Sequence, residues 1–304
     1  MIYTITLNPA VDYFLEVDNF TAGAVNRSNA ERKVPGGKGI NVSRVLQRLG
    51  HKSEALGFIG GFTGDFIASS LEAEAIQTNF IKVHGDSRIN VKLYSETETE
   101  INGSSPMITN DHVTQLKGQI EGLSEGDFLV LAGSVPSSLD DDLYQVLIEA
   151  ARERGVFVCL DTSGEPLRKA IEAKPSLIKP NHHELGELFG VEIKNIDEAL
   201  PYVSQLIEKG IEYVLISFAG EGALLGTKEG IYSAVPPKGK VQNSVGAGDS
   251  TVAGFITSVL ANSTDVGKLA FAVACGSATA FSKSFCELED VKRLKENIDI
   301  KHIK

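Results

Sequence analysis

The sequence predicts an α/β fold in which a mainly parallel sheet is covered by helices on both faces and a smaller sheet is inserted into the same chain. Two observations carry that prediction. From about residue 125 onward, short continuous apolar runs alternate with amphipathic ones. Strands buried on both faces, and the helices that cover them, read in this way. Elsewhere the apolar residues fall at every second position, at Val11, Tyr13, Leu15 and Val17 and again at Ile89, Val91 and Leu93. That period belongs to strands with one wet face.

Taken in order, Met1 to Ala10 opens directly on a strand. Residues 11–34 and about 86–105 supply the small sheet, the second segment ending in the polar run Ser95 to Ser105. Between them a helix follows Gly39, with Val42, Val45, Leu46 and Leu49 on one face. Phe128 to Ala132 reads as a strand, Leu139 to Arg154 as a helix and Val156 to Leu160 as the next strand. A helical run near Leu167, a short apolar stretch from Leu177 to Lys179 and a short helix from His183 follow. A helix over Ala199 to Glu208 precedes the strand Tyr213 to Ser217. The C-terminal third reads as helices, starting after Gly248 and after Asp265. No linker, repeat or low-complexity tract divides the chain, so residues 1–304 are expected to form one domain. The inserted sheet would leave an apolar face needing cover, which leads us to expect a lid or interface and a homodimer formed through it.

Composition narrows the function. The chain has 304 residues, 42 % hydrophobic and 23 % charged, enough for one large core. A net charge of −11 argues against broad nucleic-acid binding, which needs a basic face to displace counterions. A few local cations in such a protein still suffice for a small anion. No apolar run approaches a membrane span, and the N-terminus lacks the pattern of a signal peptide. Three cysteines without a CxxC pair read as reduced thiols of a cytoplasmic protein, mostly structural.

Three glycine-rich segments stand out. Pro35 to Asn41 runs into a helix and carries Lys38; it is either an anion site or a tight turn with a surface lysine. Gly246-Ala247-Gly248-Asp249 opens another helix, so free N–H groups and the positive end of the helix dipole meet a carboxylate. Asp249 there is either a helix-start residue or a base beside an anion hole, and the whole package favours the base. Ser217 to Gly222 follows a strand and is either a hairpin turn or a ligand loop at the strand's carboxyl end. There is no G-x-x-x-x-G-K-[ST], and no glycine pair completes G-x-G-x-x-G, which disfavours P-loop and dinucleotide-binding readings.

The early GGKGIN, the GSVP at Gly133 to Pro136, the KPNHHE at Lys179 to Glu184 and the late VGAGDST together resemble the ribokinase or phosphofructokinase-B carbohydrate kinase family, over the whole chain. The resemblance implies a ribokinase-like three-layer α/β/α fold with a β-sheet lid, and an ATP- and Mg²⁺-dependent kinase. Thr6 to Asp12 and Arg88 to Lys92 resemble the branch acting on phosphorylated hexuloses. Fructose 1-phosphate is the expected acceptor and tagatose 6-phosphate the alternative. By the same resemblance Asp249 is the catalytic base, with Gly246, Ala247 and Gly248 as anion hole. Asp12, Gly37 and Asn41 would hold sugar hydroxyls, and Lys38, Arg88, Asn90 and Ser134 the substrate's existing phosphate. Lys179, Asn181, Glu184, Ser217, Gly220, Gly222 and Gly248 would line the nucleotide side, with Glu184 reaching Mg²⁺ through water. His182 and His183 are read as surface or packing residues, and Asp140 to Asp142 as a helix N-terminus.

Overall fold

A computed structural model describes residues 1–304. The first half of the chain runs β1 (Ile2–Thr6), β2 (Ala10–Glu16), β3 (Ala30–Gly36), α1 (Lys38–Arg48), β4 (Ser53–Ile59), α2 (Gly61–Ala73), β5 (Gln77–Thr78), β6 (Ile81–Lys82), β7 (Arg88–Tyr94), β8 (Glu98–Asn102), α3 (Asn110–Glu121) and β9 (Phe128–Ala132). It continues through α4 (Leu143–Arg152), β10 (Phe157–Asp161), α5 (Gly164–Ala170), β11 (Leu177–Ile178), α6 (His182–Phe189), α7 (Ile196–Glu208), β12 (Tyr213–Ser217), β13 (Ala223–Gly226), β14 (Ile231–Val235), α8 (Ala247–Leu260), α9 (Asp265–Ala280), α10 (Leu288–Lys295) and β15 (Asp299–His302).

The main sheet has the order β15-β14-β13-β12-β11-β10-β9-β1-β4-β5, with β6 also on β4. Pairs from β12 through β5 are parallel, and β13, β14 and β15 add on antiparallel. Side chains alternate across this sheet. Leu129, Leu131, Val158 and Leu160 pack against α3 to α7 on one face, whereas Phe128, Val130, Ala132 and Cys159 pack against α1, α8 and α9 on the other. This is the three-layer α/β/α arrangement, and every strand residue of β9 is buried. The small sheet, in the order β3-β2-β7-β8, stands apart from it. Its strand β2 pairs in parallel with β7, Asp12 opposite Asn90.

Some expectations shift. The helix expected from Leu139 begins at Leu143, because Pro136 to Asp142 forms a turn with Asp142 at the N-cap position. The segment 11–34 resolves into two strands joined by an exposed loop. The C-terminal third is not only helical, since β13, β14 and β15 extend the sheet edge. All three cysteines are free and buried, and no helix is long and apolar enough to cross a membrane.

Candidate active site

The site is built where chain turns leave the carboxyl ends of the parallel strands, the edge at which open α/β sheets hold ligands. Helix α8 supplies its centre. Gly246 caps the helix in the left-handed region, at φ 79°, a conformation that suits glycine. The N–H of Ala247 donates to the Ser244 carbonyl at 3.2 Å, and Ser250 N–H closes the first turn onto Gly246. The N–H groups of Gly246, Gly248 and Asp249 have no backbone acceptor. These three donors are free at the head of α8, whereas the N–H of Ala247, expected among the anion-hole donors, is engaged with Ser244.

Asp249 stands in the first turn of α8 and is 6 % exposed. Its Oδ2 accepts from Asn41 Nδ2 at 2.8 Å, so α1 grips the carboxylate directly. Burial, and then the negative charge of Asp161, push its pKa up to about 6, against the opposing pull of Asn41, Lys38 and Lys179. A carboxylate at this value is ionised near neutral pH yet more basic than an ordinary aspartate, as a general base requires.

Asp161 is a site residue the sequence reading missed. It ends β10 at 1 % exposure and accepts from Lys38 Nζ at 3.0 Å, with Lys179 Nζ at 3.5 Å. Burial alone would raise its pKa, but Lys179 and Lys38 hold it below the usual carboxylate range. The signal in the sequence is one ionisable residue closing an apolar run at a strand's carboxyl end. Lys38 is thus committed to Asp161 and lies under the combined fields of Asp161, Asp249 and Glu184, which raise its pKa although burial opposes this. The structure places this lysine with the carboxylates Asp161 and Asp249.

A second cluster lies on the small sheet. Asp12 Oδ1 accepts from Asn90 Nδ2 at 3.0 Å across the β2–β7 pair. Gly36 faces it, and a Cβ there would fall 2.3 Å from Asp12 Oδ2, so a side chain at 36 would displace the carboxylate. Gly37 caps α1. Arg88 Nη2 donates to the Asn8 carbonyl at 3.2 Å, and Asn8 Nδ2 reaches toward Ser134 Oγ at 3.5 Å. Burial lowers the Arg88 pKa while Asp12 pulls it back up. Arg88 Nε, Asn90 Oδ1 and Asp161 Oδ2 are buried without a hydrogen-bond partner. Such groups are normally satisfied, and Arg88 and Asn90 stand at neighbouring positions of β7 beside Asp12, so this end of the small sheet suits a polar ligand.

The nucleotide-side candidates gather beyond Asp161. Asn181 caps α6, accepting from Glu184 N–H at 2.9 Å, while Glu184 Oε2 accepts from Asn181 N–H at 2.8 Å. The N-x-x-E pair is therefore also a capping box. Asn181 bridges to Ser217 at the end of β12. Gly220 and Gly222 lie in the turn between β12 and β13, and a Cβ on Gly248 would sit 3.5 Å from Lys179 Nζ. His182 packs, as expected, stacked on Phe218 with ring centroids 5.3 Å apart.

A buried carboxylate beside free N–H groups at a helix start has the parts that phosphoryl transfer to a hydroxyl uses. Residues 5–290 match the pfkB family of carbohydrate kinases, and the chain belongs to that family. It is 51 % identical over 300 residues to a 1-phosphofructokinase of Bacillus subtilis, covering 99 % of each chain. It is 38 % identical over 304 residues to a D-tagatose-1-phosphate kinase of Bacillus licheniformis, covering all of both. A crystal structure of a phosphofructokinase-like protein from Staphylococcus aureus superimposes with a TM-score of 0.90 at 40 % identity, covering 100 % of this chain and 99 % of that one.

Proposed function

We propose that the protein transfers the γ-phosphoryl group of ATP to the C6 hydroxyl of fructose 1-phosphate, giving fructose 1,6-bisphosphate and ADP. The observation that carries the transfer chemistry is Asp249, buried, held by Asn41 and adjoining the free N–H groups at the head of α8. The sugar oxygen forms its bond to the γ-phosphorus as the bond to the bridging oxygen of ADP breaks, and the hydroxyl proton passes to Asp249. Transfer of this kind is loose and needs little early deprotonation, so charge stabilisation by the helix N–H groups, Lys38 and Lys179 supplies most of the acceleration. Asp12, Asn90, Gly37 and Asn41 bind the sugar, Arg88 and Ser134 its existing phosphate, and Lys179, Asn181, Ser217, Gly220 and Gly222 the nucleotide. The small sheet acts as a lid that excludes water, which would otherwise take the phosphoryl group.

The family implies Mg²⁺. Asp161, with an unpaired buried oxygen, and Glu184 offer hard oxygen donors, and no group of three or more metal-ligating side chains converges. That suits an ion held by one or two carboxylates, water and phosphate. Glu184, through water, and Asp161 would hold it, and when bound it would neutralise phosphate charge.

The 51 % identity to a 1-phosphofructokinase supports fructose 1-phosphate as acceptor. The tagatose-phosphate relative favours a second reading, tagatose 1-phosphate or the tagatose 6-phosphate expected from sequence. We place the protein in the cytoplasm, as a homodimer through the small sheet. The deciding experiment compares kcat/KM for fructose 1-phosphate, fructose 6-phosphate and both tagatose phosphates by coupled ADP release. Preference for fructose 1-phosphate supports the proposal, and preference for a tagatose phosphate replaces the acceptor. Asp249→Asn is expected to lower kcat about a hundredfold or more with the fold intact; near-normal turnover would remove Asp249 as base.

A further inference from the structure

We propose that Phe285 is a positioning residue for phosphoryl transfer, a wedge that fixes the head of α8 against α1; this rests on the reading of Gly246 to Asp249 as the reacting centre. The ring lies directly on the anion-hole glycine, since a Cβ at Gly246 would fall 2.4 Å from Phe285 Cε1. The ring also meets two guanidinium groups of α1, Arg44 at 5.0 Å and Arg48 at 5.8 Å from the ring centroid. Both are held in turn. Arg44 makes a forked contact with Glu74, at 2.7 to 2.9 Å. Arg48 Nη1 donates to the Phe285 carbonyl at 2.7 Å and to Glu287 at 2.9 Å, and Nη2 to Ser284 at 3.3 Å.

Asn41, Arg44 and Arg48 recur at three- and four-residue spacing, which puts them on one face of α1. That face therefore grips the start of α8 twice. Asn41 holds the Asp249 carboxylate, and the two arginines press Phe285 onto Gly246. The helix that opens on the sugar-side glycines is thereby keyed to the helix that carries the anion hole, so the distance between hydroxyl-binding groups and free N–H donors is set by one aromatic ring. Misplacement of such donors by about 1 Å is enough to lose about a hundredfold in rate.

The test compares Phe285→Ala, Phe285→Leu, Phe285→Tyr and Arg48→Ala with wild type in steady-state kinetics, together with amide hydrogen exchange of the peptide spanning residues 244–251. Phe285→Ala is expected to lower kcat about tenfold or more with KM for the sugar phosphate unchanged, and to speed exchange at the head of α8. Phe285→Tyr keeps both properties, and Phe285→Leu, which fills the volume without a π face, falls between. Phe285→Ala combined with Arg48→Ala is no worse than Phe285→Ala alone, because the two act through one contact.

Wild-type kcat and exchange in Phe285→Ala would overturn the proposal. So would a rise in sugar KM at constant kcat, since the ring also lines the cleft with Asp12 and Asn41 and would then be a binding residue. Should Phe285→Ala fail to fold, Phe285→Leu and Arg48→Ala carry the same comparison. If the wild type transfers phosphate to no sugar phosphate, the proposed function fails, while the exchange experiment still decides the role of Phe285.

Discussion

At the residue scale, two neighbouring aspartates lie in the field of the same pair of lysines and are shifted in opposite directions. Asp161, in contact with Lys38 and Lys179, stays ionised, and its charge joins burial in raising Asp249 to about 6. The proposed base works only when ionised, so kcat/KM is expected to rise with pH to a plateau above about 6 and to fall about tenfold per unit below it. Asp161→Asn removes the neighbouring negative charge and should move that limb to lower pH, measurable even on a reduced rate. The raised value also has a sign for stability. A carboxyl that binds its proton more tightly when folded destabilises the fold as pH rises from the ordinary carboxylate range to about 6. Asp249→Asn should accordingly melt higher than wild type at pH 7, an advantage that disappears near pH 4.

At the element scale, the N-x-x-E segment builds a helix start as well as carrying a proposed place on the nucleotide side. Asn181 and Glu184 satisfy each other's backbone N–H groups at the start of α6, so Asn181→Ala is expected to cost about 1 kcal/mol and to lower the melting temperature by about 2 °C. An unchanged melting temperature would show that the cap adds nothing to stability. How legible such elements were depended on their burial. The wholly buried β9 and the core of β12 stood out as apolar runs, and the alternation of Val11 to Val17 announced β2 because one face of that strand is wet. Helix α4 starts four residues later than its pattern predicts because Leu139 and the aspartates fit a helical pattern equally well, and only the turn from Pro136 separates them. Strands β14 and β15 carry mixed residues at the sheet edge and left no periodic signal. Among site residues, the glycine segments could be read from the chain alone, since close approach and positive φ restrict the residue type. Asp161 leaves only the weak signal of an ionisable residue closing an apolar run, because its surroundings arise only when the start of α1 and the end of β11 bring two lysines to the end of β10.

At the scale of the whole molecule, the small sheet shows how the two halves differ. Strand β8 is exposed along its whole length, with Ile101 60 % and Ile89 38 % exposed. Apolar side chains on such a face are expected to be covered by a second copy of the chain. Sedimentation should find a dimer that Ile101→Glu dissociates, and a wild-type monomer at micromolar concentration would remove that interface. Helix α8 is the opposite case, buried continuously from Asp249 to Ile256 and packed along α9. In the proposed assignment the nucleotide side is thus anchored on a wholly buried helix and the acceptor side on an exposed sheet, the kind of element that opens at lower free energy. On gradual loss of order the protein would forget which sugar it prefers while still able to grip ATP, so warming would blur substrate choice before it abolished nucleotide affinity.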